Sequence, residues 1–460
     1  MRRIKITYAA GYWLLVTSCL FLAVTLSARL NDAVGQEVEA SFSQVNSDSL
    51  ISVYTQKMHK YLDKDNKAAE IFSFTKEGIE VYQPETDTSQ KQFDFIIFWN
   101  EIPWLESLSY CNPKCLANVC REKGSQRLNG KLIKDGSNCP NCKLITRSTM
   151  DGVARPLRNI GIALDPGHMA GDLETAKREK KWVEMKKPPV ELIEGELTLA
   201  TALILKKKLE AQGATVMLTR DQPNMSSFGI DYKKWKDSLF LKSLDSAYAR
   251  GDISFEEKSY LHTKANDTEI FRRFFMLEDL HERARKINEF HPDLTLVIHY
   301  NVDETNSNWS KTSKKDYNMT FVGGSFGAEE LNTPEARIEF LRLLLTDDIE
   351  SSIEFSKYMI ESLVQKTKVP AALDSNAVYL KDNCMNTDVK GVYCRNLTLT
   401  RKVKGIICYG ESLYQDNVME CKALSKKDFK IDGMETSKRV EEVAEAYYEG
   451  IMNYVKSKNK

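Results

Sequence analysis

Two histidines and two glutamates in this chain have the types and settings that hydrolytic chemistry needs. His168 follows an apolar strand pattern, Asn159 to Leu164, through the turn Asp165-Pro166-Gly167, and His299 ends a second pattern, Leu294 to Ile298. Glu411 follows a third, Gly405 to Tyr409, and Glu194 opens a helical pattern. Two imidazoles and one carboxylate are the donor set of catalytic zinc, which keeps a fourth position open for water or substrate. A further carboxylate is then needed to take a proton from that water. Taken singly, each residue has a plainer reading. A histidine after a strand is most often structural, a glutamate at a helix N-terminus is electrostatically welcome there, and Glu411 alone fits a solvated loop. His59, His262, His281 and His291 have no comparable setting.

The elements that must carry these residues are legible as patterns. Leu199, Ala202, Leu203 and Leu209 recur at helical spacing from Glu194 to Gln212, Gly213 closes the helix, and Ala214 to Leu218 reads as a strand. Strand, helix and strand make a βαβ unit and imply a parallel pair in an α/β sheet. His168, His299 and Glu411 then stand at the C-terminal rim of that sheet, where ligands gather in such folds. Arg337 to Leu345, Ser352 to Lys366 and Ser437 to Lys456 read as amphipathic helices. In front lies a small α+β module over residues 41–150, with a helix from about Ala40 to Lys67 and strands at Gly78 to Tyr82 and Phe93 to Phe98. It carries no catalytic signature.

Composition excludes some partners. Lys plus Arg equals Asp plus Glu, 65 against 65, so no net field recommends nucleic acid. Arg2, Arg3 and Lys5 precede Tyr8 to Ala28, a run without charge, which reads as a signal peptide or an N-terminal membrane anchor. Either places the rest of the chain in the cell envelope, periplasmic or extracellular. The 10 cysteines suit an oxidising compartment, and disulfides are the expected state of most of them. Cys111, Cys115, Cys120, Cys139 and Cys142 crowd together, with a structural metal as the alternative to bridges. Cys408, inside an apolar strand pattern, is expected as a buried free thiol.

Ile162-Ala-Leu-Asp-Pro-Gly-His168, Glu194-Gly-Glu-Leu-Thr-Leu-Ala200, Val216-Met-Leu-Thr-Arg220, Leu296-Val-Ile-His-Tyr-Asn301 and Ile406-Ile-Cys-Tyr-Gly-Glu-Ser-Leu-Tyr-Gln-Asp-Asn417 resemble, in order, the blocks of the zinc-dependent N-acetylmuramoyl-L-alanine amidases of the Amidase_3 type. The resemblance covers roughly residues 158–455. It implies a three-layer α/β domain with a twisted, mostly parallel central sheet flanked by helices, one Zn²⁺, and peptidoglycan as substrate. The ligands fall on His168, Glu194 and His299, with Glu191 and Glu196 as alternatives to Glu194, and the catalytic glutamate falls on Glu411, with Tyr414 and Asn417 at matching positions. Asn301 and Arg395 are candidate substrate contacts whose plainer role is loop hydrogen bonding. Departures from the family pattern are Met169-Ala170 in place of Gly-Gly, a basic loop over 177–187, and insertions near 228–276 and 303–372. Within the latter, Gly327 to Leu345 is a candidate gate over the site. The expected catalytic domain is 158–460. A zinc carboxypeptidase or endopeptidase acting on the peptide, or a non-catalytic wall-binding protein, are the rival functions.

Overall fold

A computed structural model describes residues 47–84, 92–102, 156–186, 189–306 and 311–458. The run Tyr8 to Ala28 and the cysteines from Cys111 to Cys142 lie outside them. Among the described residues no helix is long and apolar enough to cross a membrane. After the helix Ser47–Lys57 and one wider helical turn, Met58–Leu62, strands β1 (Phe72–Phe74), β2 (Gly78–Tyr82) and β3 (Phe93–Phe98) form an antiparallel sheet.

The central sheet is built from β4 (Gly161–Pro166), β7 (Thr215–Leu218), β8 (Leu294–Asn301), β9 (Met319–Val322), β10 (Cys384–Asn386), β11 (Val392–Arg395) and β12 (Ile407–Tyr414); β5 (Trp182–Lys186) and β6 (Pro189–Ile193) form a separate hairpin. Its order is β10-β11-β9-β12-β8-β4-β7. The pairs β11/β9, β12/β8, β8/β4 and β4/β7 are parallel, and β10/β11 and β9/β12 antiparallel. Side chains alternate across it as the pleat requires. Ile162, Leu164, Leu296, Ile298 and Cys408 join a core with the helices Glu194–Ala211, Asp348–Thr367 and Lys438–Lys458. Ala163, Val297 and Ile407 meet Ala284 and Ile287 of the helix Met276–Phe290 on the opposite face. The result is a sheet sandwiched between helices.

Two strands run further than their apolar patterns. His299 and Glu411 stand inside β8 and β12, paired with each other, rather than just beyond the strand ends. The ladder continues because β12 is hydrogen-bonded on both sides, to β8 and to β9. Just past Glu411 the register slips between Ser412 and Tyr414, and Leu413 takes a positive φ of 55°. Such a bulge bends a strand and redirects its side chains.

The insertions are folded parts of the molecule. Residues 228–276 form short helices around Trp235, Phe240, Phe271, Phe274 and Phe275. The other supplies β9 to the sheet. Gly327 to Leu345 is an interior wall and not a gate: Phe340, Leu341, Leu343, Leu344 and Leu345 are buried in one core with Phe72, Ile79, Val81 and Ile97 of the N-terminal sheet. The ring of Phe340 stacks on Phe72 at 4.4 Å and meets Phe326 edge-on. The described part of the basic loop forms the end of the helix Leu173–Glu179 and strand β5, which pairs with β6.

Cys384, Cys394, Cys408 and Cys421 are all buried free thiols, so the expected bridges do not form here. Cys384 pairs with Arg395 and Cys394 with Met385 across β10/β11, which puts the two thiols on opposite faces of the ladder. Burial pushes the Cys408 thiol up to about 12, leaving it unreactive.

If the N-terminal sheet shares its stability with the central domain, Phe340→Ala should cost about 3–5 kcal/mol, the usual range for removing a buried aromatic ring. Denaturant unfolding followed separately by tryptophan fluorescence and far-UV circular dichroism should show one transition at lower denaturant. Two separated transitions would show that the sheet unfolds independently.

Candidate active site

The site begins where β4 ends. Pro166 and Gly167 carry the chain out of the sheet and His168 turns it with a φ of 58°, a conformation costly for a residue with a Cβ. Gly167 is dictated by contact: a Cβ there would lie 2.2 Å from Nε2 of His299. Gly195, in the first turn of the helix that Glu194 opens, is dictated similarly, since its Cβ would lie 2.3 Å from the carbonyl oxygen of Ala170. Only glycines let the loop, the helix start and the His299 ring close up on one point.

That point is Oε1 of Glu194. His299 Nδ1 stands 3.0 Å from it and His168 Nε2 3.3 Å. The two rings are perpendicular with centroids 4.8 Å apart. One ligand atom from each of the three residues lies within 4.8 Å of the others. Burial drives the His168 imidazole down to about 3, so it is neutral and keeps a lone pair. Burial opposes charge on Glu194, yet His168, the Lys181 ammonium and the His299 hydrogen bond hold its carboxyl well below the usual carboxylate range. His168 Nε2 is buried without a hydrogen-bond partner. An orphaned imidazole nitrogen, a second imidazole and an ionised carboxylate in one buried place fit a divalent cation of borderline softness. Glu191 is exposed on the hairpin and Glu196 is partly exposed, and neither joins the cluster.

Glu411 stands beside this trio, paired through the backbone with His299 and partly exposed. Burial raises its carboxyl and the Glu194 charge adds to this, while His299, Lys181 and Arg395 pull it back. Tyr409, two residues earlier on the same sheet face, stacks on the His299 ring at 4.7 Å and 9° and fixes its plane. Asn301 donates to the Tyr379 hydroxyl at 3.0 Å. Asn417 caps the helix Val418–Leu424 and Tyr414 is buried in the apolar packing, so both act structurally.

Several residues that hold the site in place are not among the predicted site residues, although Arg220 and Gln415 lie inside blocks of the family resemblance. Arg220 donates from Nη2 to the carbonyls of Gly167 and Gly195 and to Thr198 Oγ1, and from Nε to the Pro166 carbonyl. Arg283 donates to the Pro166 and His168 carbonyls and to Asp165 and Asp279. Gln415 joins Glu194 Oε2 to the Tyr300 carbonyl. Glu179, buried on the helix of the former basic loop, accepts from the Met169 and Ala170 amides at 3.1 and 3.0 Å and lies 3.9 Å from His168 Nδ1. Met169 itself is buried in the aromatic core of the 228–276 insertion. A further cue was Met169-Ala170 standing where the family has Gly-Gly.

Among the described residues, Asp252, Glu278 and His281 also come within ligand distance of one another. Arg250 already donates to both carboxylates, which makes this an ion-pair network at the surface of the insertion.

Glu179→Gln would leave one carbonyl oxygen for two amide donors. An orphaned buried donor costs about 1–3 kcal/mol, so hydrogen exchange at Met169 and Ala170 should quicken roughly tenfold or more. Unchanged protection at both amides would mean that Glu179 does not restrain the loop.

Comparison with known proteins places the chain in a family. The family profile described as N-acetylmuramoyl-L-alanine amidase, Amidase_3, matches residues 162–453. Among solved structures, the chain is similar to the CwlD amidase of Clostridioides difficile, determined in complex with the GerS lipoprotein, with 18% identity over 65% of this chain and 100% of that one and a TM-score of 0.37. It is also similar to the amidase Ami1 of Mycobacterium smegmatis, with 14% identity over 65% and 99% and a TM-score of 0.36. The catalytic domain of CwlV from Bacillus (Paenibacillus) polymyxa var. colistinus gives 14% identity over 65% and 98% and a TM-score of 0.35. A comparison with curated protein sequences gives no match. On the strength of the family match, the chain belongs to the N-acetylmuramoyl-L-alanine amidases of the Amidase_3 family, cell-wall hydrolases that cleave the amide between N-acetylmuramic acid and L-alanine in peptidoglycan.

Proposed function

We propose that His168, Glu194 and His299 hold a Zn²⁺ ion and that Glu411 is the general base of this amidase. The observation that carries the reading is the convergence of His168 Nε2 and His299 Nδ1 on one oxygen of Glu194, with the first nitrogen left unpartnered. Held by these three residues, zinc would supply Lewis acidity toward the scissile carbonyl and an attacking water. Glu411 accepts the proton of the attacking water and returns it to the nitrogen of L-alanine as the amide breaks. Burial raises the Glu411 carboxyl, which favours its taking up a proton. Tyr409 keeps the His299 ring edge aimed at Glu194, and Gln415 and Tyr300 N hold the Glu194 carboxylate. Lys181, 3.9 Å from Glu194 Oε2, stabilises its charge. Asn301 acts through Tyr379, which it orients.

The catalytic unit spans 158–460, and residues 8–28 serve as export signal or membrane anchor, which puts the enzyme on the outer side of the cytoplasmic membrane. The packing of Phe72, Ile79, Val81 and Ile97 against Val322, Phe340 and Cys394 supports a structural role for the N-terminal part.

The full chain should bind about one zinc per molecule. Purified peptidoglycan should yield stem peptides with new L-alanine N-termini and uncut glycans, identified by mass. Cuts within the peptide would support a peptidase instead. Glu411→Gln should keep zinc while turnover falls about 10²–10⁴-fold, the usual worth of a general base. Retained turnover in that variant would remove Glu411 from the mechanism. His299→Ala should lose both zinc and activity, with the circular dichroism spectrum preserved.

A further inference from the structure

Arg395 ends β11 on the sheet face that carries Tyr409 and Glu411. Its guanidinium lies between two rings, 4.9 Å from the centroid of Phe321 and 5.2 Å from that of Tyr379. Phe321 is fully buried, and Tyr379 is pinned by the hydrogen bond from Asn301 and the contact of its hydroxyl with Met319 Sδ at 2.9 Å. The two rings therefore confine the guanidinium between them. The charge reaches Glu411, Tyr379 and Tyr409.

Among the described residues, other buried or half-buried arginines have carboxylate or carbonyl partners. Arg283 holds Asp165 and Asp279, Arg342 holds Asp348, Arg401 holds Glu339, Arg439 holds Glu420, and Arg220 serves backbone carbonyls. Arg395 is half-buried, yet among the described residues its side chain makes neither an ion pair nor a hydrogen bond. A partly desolvated guanidinium with open donors is poised for a bidentate carboxylate, and stacking between rings is how such a fork is held ready.

Resting on the amidase reading above, we propose that Arg395, gripped by Phe321 and Tyr379, is a subsite for a free carboxylate of the stem peptide just beyond the cleaved amide. The L-alanine side of the scissile bond lies toward Glu411, since that is where its nitrogen must receive a proton. The peptide leaves along the same face, and an acidic residue there meets the guanidinium edge. The subsite sets which stem peptides are cut and holds the leaving nitrogen near Glu411. A carboxamide in place of the carboxylate keeps the shape but loses the charge and one acceptor, so the enzyme distinguishes the two.

The test uses the zinc-loaded full chain and two synthetic N-acetylmuramoyl tripeptides that differ only in a carboxylate or carboxamide on the second amino acid. The wild type should cleave the carboxylate form with a kcat/KM at least tenfold higher, mostly through KM. Arg395→Met should bring the two substrates within about twofold of each other by slowing the carboxylate form. Arg395→Lys, which keeps the charge without the fork, should retain part of the preference. Equal kcat/KM for both substrates in the wild type, or a preference that survives Arg395→Met, overturns the subsite while leaving the amidase reading intact. Failure to cut the muramoyl amide of either substrate strikes the amidase reading itself.

Discussion

The loop that delivers His168 leaves the sheet with its backbone carbonyls directed into the protein, and everything at the site depends on satisfying them there. Pro166, Gly167 and His168 present their carbonyls to Arg220 and Arg283, both fully buried. A buried guanidinium is expensive unless all around it accepts hydrogen bonds. Arg283 is offset by Asp165 and Asp279, whose charges hold it protonated. Arg220 binds the loop and the first turn of the Glu194 helix together through Gly167 and Gly195. The pair fixes the distance between the first and second proposed ligands by backbone contacts, independently of any ion.

The departures from the family pattern have a common physical outcome. Met169, where a glycine would leave the loop free, sends its side chain into the aromatic core around Trp235 and Phe271. The Glu179 carboxylate takes the amides of Met169 and Ala170. Arg272 donates to the Arg178 and Lys177 carbonyls, and Arg178 lies over the rings of Tyr232 and Phe271, so the insertion clasps the helix that carries Glu179. What reads in sequence as extra chain is a brace around His168, built from residues up to about a hundred positions away. At the far end of the sheet the second insertion and the N-terminal strands seal each other in the same way, through Phe72, Phe326 and Phe340.

The amino-acid sequence by itself determined the strands β4, β7, β8 and β12, the βαβ unit at Gly161 to Leu218, and the identities of His168, Glu194, His299 and Glu411 as the residues worth watching. These are local signals: periodicity, a glycine after a helix, a polar residue after an apolar run. It also led to two errors of the same kind. The amphipathic pattern of Gly327 to Leu345 says only that one face is apolar, not what covers it, and cysteine counting says nothing about which face of a ladder a thiol occupies. The tertiary structure alone decided those matters, together with the in-strand position of Glu411, the roles of Arg220, Arg283, Glu179 and Gln415, and the open guanidinium of Arg395. Each depends on contacts between segments far apart in the chain, and such contacts leave no periodicity in the sequence from which to read them.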